Sequence, residues 1–329
     1  MNHEWIARKV LESYSFTDPV LEFMRHNENM TYKITDRGNS CTFLLRIHKP
    51  VTEGFFGIQH TLEGLKSETA LLLELGRNRV LGVQMPVANR FGEYVSVCRL
   101  EDMGAAAFYA TLLEWIDGDT FRHEEKNLDE IVYAIGVNLA RFHRFTRASE
   151  VLKDLHRPVY GTEKIDNTLE KLRYGVEVDL YSLEHYGIMT EVLAQVKGFM
   201  RELDSQEGAW GLIHADIQRG NIVITESSEP CFIDFCLSGY GYYLFDIGSA
   251  STKIESKQRD IFLKGYTSQA PFSKESLRYV EGLILMDICL CYAFFIRDSD
   301  RNSWIKDHVV RKIELWSQWL TGKEIYYLL

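Results

Sequence analysis

Around Gly118 the hydrophobic pattern of this chain changes period, and that change limits the possible folds more than any other feature. Upstream, Val20–His26, Met30–Asp36 and Cys41–His48 read as strands, with Asn27-Glu28-Asn29 and Asp36-Arg37-Gly38-Asn39 as the hairpin turns between them. Residues 3–14 place Trp5, Ile6, Val10 and Leu11 at helical spacing, and Leu62–Leu75, rich in Leu, Glu and Lys, reads as a second helix. Met85–Arg90 and Tyr94–Arg99, either side of Phe91-Gly92-Glu93, and then Phe108–Trp115 return the chain to strands. Downstream, Ile131, Val132, Ile135, Leu139 and Phe142 recur at helical spacing, as do patterns through Glu191–Leu203, Ser273–Arg297 and Asp307–Leu320. The expected class is α+β. A sheet-rich domain spans residues 1–116 and a mainly helical one 117–329, with no internal repeat.

One stretch breaks the helical pattern. In Gly211–Asp234 the short apolar runs Leu212-Ile213, Ile222–Ile224 and Cys231–Ile233 surround polar residues, an arrangement that marks a site. Its polar centre reads His214-Ala215-Asp216-Ile217-Gln218-Arg219-Gly220-Asn221, and Asp234 follows Asp216 by 18 residues. Each acidic residue ends or follows a β-like run, which places it at the lip of a cleft. Phosphoryl transfer from ATP needs this inventory: one carboxylate to accept the hydroxyl proton, and an amide oxygen and a second carboxylate to hold a metal against the phosphates. On this reading Asp216 is the base and Asn221 and Asp234 are the metal ligands. Oxygen donors without neighbouring Cys or His pairs favour magnesium over zinc.

Composition narrows the partners. At 329 residues, 46% hydrophobic and 26% charged, the chain has the makeup of a globular protein with room for two domains. Its 37 Lys and Arg against 47 Asp and Glu give a net charge of −10, which argues against a broad surface for nucleic acid and suits a small cationic or neutral substrate. The six cysteines contain no CxxC pair and read as reduced residues of a cytoplasmic protein. The first residues lack the apolar run of a signal peptide, and the most apolar stretch, Leu283–Ile296, is too short to span a bilayer and carries Asp287, so no membrane association is expected. Gly239-Tyr240-Gly241 begins a dinucleotide-like string, but Leu244 stands where the third glycine would be.

The strand–strand–strand–helix opening, the Leu113-Glu114-Trp115-Ile116 linker, the HADIQRGN segment, and FIDF followed by Phe245-Asp246-Ile247 together resemble the aminoglycoside phosphotransferase and choline kinase-like family. The resemblance covers most of the chain and implies a bilobal protein-kinase-like fold, with an N-terminal antiparallel sheet lobe holding one helix and a C-terminal mainly helical lobe. It implies ATP and Mg2+ as cofactors, and it implies that His214 organises the catalytic loop while Asp246, in a turn, accepts hydrogen bonds from it. Kinase-like folds place a cation on the third strand, paired to a helix glutamate; the matching positions are Arg46, where lysine is usual, and Glu68. Asn29, in the glycine-free turn that replaces a glycine-rich loop, would cover the phosphates. The Glu114–Ile116 backbone would bond adenine.

The implied activity is transfer of the γ-phosphate of ATP to a hydroxyl of an aminoglycoside, homoserine, a choline-like amino alcohol or a sugar, near Tyr240, Tyr242, Asp287 and Tyr292. Two alternatives stand beside it: a bacterial stress-type Ser/Thr protein kinase of the same family, and a catalytically silent nucleotide-binding scaffold. The intact Asp216, Asn221 and Asp234 argue against the scaffold.

Overall fold

A computed structural model describes residues 3–26, 29–48, 57–99 and 107–329. In chain order the elements are α1 (His3–Leu11), β1 (Pro19–His26), β2 (Asn29–Asp36), β3 (Cys41–His48), α2 (Leu62–Arg77), β4 (Val95–Arg99), β5 (Ala107–Glu114), β6 (Asp119–Thr120), α3 (Leu128–Ala148), α4 (Thr162–Glu177), α5 (Leu183–Asp204), β7 (Trp210–Ile213), β8 (Ile222–Ile224), β9 (Pro230–Phe232), β10 (Gly239–Tyr242), α6 (Tyr243–Ser251), α7 (Arg259–Thr267), α8 (Leu277–Phe295) and α9 (Trp304–Leu320). Two compact units emerge. The first gathers Met1–Thr120, Val151–Pro158 and Ile222–Leu237; the second gathers Phe121–Glu150, Val159–Asn221 and Ser238–Leu329.

The first unit is built on an antiparallel sheet in the order β1-β2-β3-β5-β4. Strand alternation sorts its residues. Met30, Tyr32 and Ile34 of β2 and Leu45 and Ile47 of β3 enter one apolar cluster with Ile6, Val10 and Leu11 of α1. Each such buried aliphatic side chain stabilises the fold by roughly 1.5–3 kcal/mol. The opposite face carries Thr31, Arg46 and Thr111, paired side by side across β2, β3 and β5. Helix α2 starts where the Thr61 hydroxyl accepts the Gly64 N–H at 3.1 Å. It buries Leu65, Leu72 and Leu75, and Glu68 falls on that same helical stripe. Strands β6, β8 and β9 form a second small sheet, which is how Ile222–Leu237 joins this unit.

Met85–Arg90 is not the expected strand. Pro86 makes only an isolated bridge to Leu113, because proline has no N–H to extend a ladder, and the segment touches β5 through Val87 N to Leu112 O at 2.8 Å. Of the turn between β1 and β2, Asn27 and Glu28 lie outside the described residues.

In the second unit, α3 and α7 cross where both present glycine. A Cβ at Gly136 would stand 2.2 Å from Phe262 O, and one at Gly265 2.1 Å from Tyr133 O, so the backbones approach closer than any side chain permits. Helices α5, α6 and α8 pack around Val196, Met200, Ile247, Leu283 and Ile284, all buried. The apolar stretch Leu283–Ile296 falls in α8 and the residue after it, and its large side chains lie mostly in this core; among the described residues no helix is long and apolar enough to cross a membrane. Phe245-Asp246-Ile247, expected as a turn, lies inside α6. The buried face of helix α4, Ile165, Thr168, Leu172 and Gly175, recurs at helical spacing but carries only two large apolar side chains. All six cysteines are free thiols.

Candidate active site

In the first unit β3 and α2 meet at a buried ion pair. Arg46 Nη2 lies 2.7 Å from Glu68 Oε1, with side chains 6% and 1% exposed. Burial alone would lower the arginine pKa, but the Glu68 and Asp234 carboxylates outweigh it and hold the guanidinium protonated above its ordinary value. Asp234 is held more loosely, 3.6 Å from Arg46 Nη1 and 3.4 Å from Arg25 Nη2. Its φ of +61° is a left-handed conformation that costs a non-glycine residue on the order of 1–3 kcal/mol and persists only where the surroundings impose it. Part of that imposition is Arg157. Its guanidinium donates to Gly64 O at 2.9 Å, Phe235 O at 2.8 Å and Cys236 O at 2.5 Å, tying the first turn of α2 to the residues after Asp234. Burial, with Glu68 and Asp234 nearby, drives the Cys236 pKa far up and keeps it a neutral thiol.

A second chain of contacts runs from Arg46 to Asn29. Arg46 Nε donates to Thr111 Oγ1 at 3.3 Å, Thr111 Oγ1 meets His48 Nε2 at 3.1 Å, and His48 Nδ1 meets Asn29 Oδ1 at 2.8 Å. Burial, with Arg46 and His60 adding to it, pushes the His48 pKa well down, so the ring is neutral. An amide oxygen only accepts, which puts the proton on Nδ1 and makes Nε2 the acceptor of the Thr111 hydroxyl. In the linker, Glu114 N donates to Met85 O at 2.8 Å and Trp115 N to Thr42 O at 3.1 Å. Among the described residues the Glu114 carbonyl is reached only by Gln84 Nε2, at 3.5 Å, and it and the Ile116 amide are polar groups a base could use.

The second unit holds the HADIQRGN loop. Asp246, fully buried in α6, accepts the His214 N–H at 2.7 Å and the Ala215 N–H at 2.8 Å. Ala215 has φ +63°, so this carboxylate grips the loop at its strained residue, next to Asp216. His143 of α3 braces Asp246 in turn, Nε2 to Oδ2 at 3.0 Å, with its Nδ1 3.0 Å from the Tyr266 hydroxyl of α7. Burial lowers the His143 pKa despite the Asp246 hydrogen bond, so a neutral ring donates from Nε2 and accepts at Nδ1. Further along, Asp216 N donates to His214 Nδ1 at 3.3 Å, and Asn221 Nδ2 donates to Asp216 Oδ2 at 2.8 Å and to Asp216 O at 3.0 Å. Gln218 Nε2 reaches the same carboxylate oxygen at 3.3 Å.

In the second unit the Asn221 amide nitrogen is spent on Asp216, which leaves its Oδ1 as a hard oxygen donor; in the first unit Asp234 carries a carboxylate. Among the described residues no three His, Cys, Asp or Glu side chains converge on a metal cage. An ion that keeps its waters and leans on phosphate oxygens needs no such cage, and magnesium is of that kind. By donor type, an amide oxygen and a carboxylate suit a nucleotide-borne Mg2+ better than a structural zinc.

The expected acceptor residues divide. Tyr242 donates to Asp204 Oδ1 at 2.7 Å, and Tyr292, fully buried, bonds His308 and stacks near Trp316; both belong to the core. Asp287 instead has its carboxyl pKa pushed up to about 6 by burial, against the lowering effect of Lys253 and a Ser249 hydrogen bond. Sequence reasoning passed over His48, His143 and Arg157. A signal existed for His143, a polar residue on the buried stripe Leu139, Phe142, Thr146 of its helix; a lone arginine bonded to carbonyls leaves none.

A family model described as the phosphotransferase enzyme family matches residues 21–279. No curated protein sequence matches. Among solved structures, an aminopropanol kinase associated with a microcompartment superposes with a TM-score of 0.77 at 18% identity, covering 97% of this chain and 98% of that one. An amicoumacin kinase in complex with AMP-PNP and Ca2+ gives 0.75 at 18%, covering 95% and 93%. An ethanolamine kinase from Plasmodium vivax gives 0.63 at 13%, covering 97% and 85%. The fold is the α+β protein-kinase-like fold of these small-molecule kinases, with an antiparallel sheet in the N-terminal part and helices in the C-terminal part.

Proposed function

This chain belongs to the phosphotransferase enzyme family, and on that premise we propose that it moves the γ-phosphoryl group of ATP to a hydroxyl of a small molecule carrying a cationic group. Residues 1–116 would hold the nucleotide, and residues 117–329 would supply the base and the acceptor pocket. The observation that carries the reading is the double restraint on Asp216. Asp246 fixes the backbone ahead of it and Asn221 fixes one of its carboxylate oxygens, so the group is aimed as a base must be.

Each residue then has a physical task. Asp216 accepts the acceptor's hydroxyl proton as that oxygen attacks. Arg46, kept charged by Glu68, neutralises the α- and β-phosphates. Asn29, tied to β3 through His48, covers them. The Glu114 carbonyl and Ile116 amide meet the adenine edge, and His214 and Asp246 hold the loop. Asn221 and Asp234 would bind Mg2+, which when present neutralises charge building on the phosphates. On the acceptor side, a carboxyl whose pKa burial has raised gains most when a cation arrives beside it, so Asp287 is the group that would draw an amine.

An ATP-consumption assay over aminoglycosides, amino alcohols, hydroxy amino acids, sugars and generic protein substrates tests this. Consumption with one or more amine-bearing small molecules is the expected result. Turnover confined to proteins, or absent with every acceptor, would overturn it.

A further inference from the structure

In the first unit Arg25 stands on a sheet row that simple alternation would deny it. Strand β1 pairs with β2 so that Phe23 faces Tyr32, but the next pair is Arg25 with Thr31, which leaves Met24 as the extra residue of a β-bulge. Without that residue Arg25 would fall opposite Met30, on the face that packs against α1. With it, Arg25 joins the row of Thr31, Arg46 and Thr111, neighbours across β2, β3 and β5. Both arginines of the row reach Asp234: Arg25 Nη2 lies 3.4 Å from Oδ2, and Arg46 Nη1 lies 3.6 Å from Oδ1. They are held differently. The Arg46 side chain is 6% exposed and is fixed by Glu68 at 2.7 Å and Thr111 at 3.3 Å. The Arg25 side chain is 59% exposed, and Asp234 is the one partner of its guanidinium among the described residues.

The bulge thus delivers a mobile cation to the candidate metal ligand, as bulges beside functional sites re-aim side chains. An exposed ion pair adds little stability, so Arg25 can leave Asp234 at small cost, whereas Arg46 cannot leave the buried Glu68. Building on the phosphotransferase reading, in which Asp234 binds Mg2+, we propose that Arg25 is a second phosphate-binding cation. Asp234 holds it until a nucleotide-borne metal takes that carboxylate, and Arg25 then passes to the phosphates. A guanidinium suits this exchange, because its fork of N–H donors matches phosphate as well as it matches carboxylate. Metal and arginine then strengthen each other's hold on ATP, since the carboxylate that one occupies is the carboxylate that the other vacates.

Because Arg25 is exposed, Arg25→Met should fold and melt as the wild-type protein does. With Mg2+ present, isothermal titration calorimetry should show Arg25→Met binding ATP about 10- to 100-fold more weakly, the range a charge-assisted hydrogen bond supplies, with adenosine binding unchanged. Arg25→Lys should recover much of the loss. With EDTA in place of Mg2+, Asp234→Asn should bind ATP more tightly than the wild-type protein, because Arg25 is released, and adding Arg25→Met should remove that gain. Three results would each reduce Arg25 to a surface ion pair while nucleotide binding stands: unchanged Mg-ATP affinity in Arg25→Met, an equal loss for adenosine, or a metal-free affinity that Asp234→Asn does not raise or that the added Arg25→Met does not lower. If the wild-type protein binds no Mg-ATP at all, the phosphotransferase reading fails as well.

Discussion

At the scale of single residues, the two charged groups at the centre of the reading should fail in different ways. On the proposed reading Asp216 acts on the acceptor proton, a demand that arises mainly in the transition state. Asp216→Asn should therefore lower kcat by about 10²–10⁴-fold with little change in KM for ATP. On the same reading Arg46 would bind phosphates in the ground state as well, and it is the partner of the buried Glu68. Arg46→Ala should raise KM for ATP along with its effect on rate, and should cost stability by leaving Glu68 unpaired. Steady-state kinetics on both variants make the comparison; equal losses in kcat with unchanged KM for each would remove the distinction between base and clamp. These candidates could be singled out in the sequence because the chemistry proposed for them restricts residue type and spacing together: an acid, a gap, an amide, then a second acid. Their supports were not, beyond the hint that His143 is a polar residue on a buried helical stripe. His48, His143 and Arg157 act through long-range contacts across 63, 103 and up to 93 residues, and no local pattern encodes such distances.

Elements were readable where composition and turn residues agree. Cys41–His48 was predicted to the residue from its β-forming run after the Asp36–Asn39 turn, although its burial does not alternate and its last four residues are all buried. Met85–Arg90 misled because extended conformation and strand composition do not require a ladder, and α4 was missed, although its buried face recurs at helical spacing, because only Ile165 and Leu172 on that face are large and apolar. The crossing of α3 and α7 was also silent: two glycines in helical stretches look like weak points until both backbones are seen to need the space. That crossing carries a prediction, since α3 and α7 bring His143 and Tyr266 to Asp246. Gly136→Ala places a methyl 2.2 Å from a backbone carbonyl that cannot turn aside. It should destabilise the protein by about 1–3 kcal/mol, as overpacking does. Gly187→Ala, in α5 with nothing within 4 Å, should instead stabilise it by about 0.5–1 kcal/mol. Denaturant melts of the two variants should move in opposite directions; a neutral Gly136→Ala would mean that the helices can separate without cost.

For the whole molecule, the buried histidines set a pH dependence that no single site reveals. Burial lowers the pKa of His48, His123, His143 and His308 below the ordinary 6.5. The unfolded chain takes up protons at these positions as pH falls through about 6.5, while the folded chain does not, so stability declines below that value. Two buried carboxyls act the other way. Asp287, with its pKa at about 6, and Glu281, whose pKa burial also raises, hold protons in the folded state that the unfolded chain releases, so they add stability as pH falls. Their contribution begins only near the raised values, below the pH at which the histidines start to act, and two carboxyls stand against four imidazoles. The melting temperature should therefore fall between about pH 7.5 and about pH 6, and unfolding near pH 6 should take up protons, measurable by calorimetry in buffers of differing ionisation enthalpy. A melting temperature that is flat or rises across that interval would mean that His48 and His143 accept protons in place. The direction of their hydrogen bonds to Asn29 and Tyr266, and with it the restraint on the catalytic loop, would then have to be redrawn.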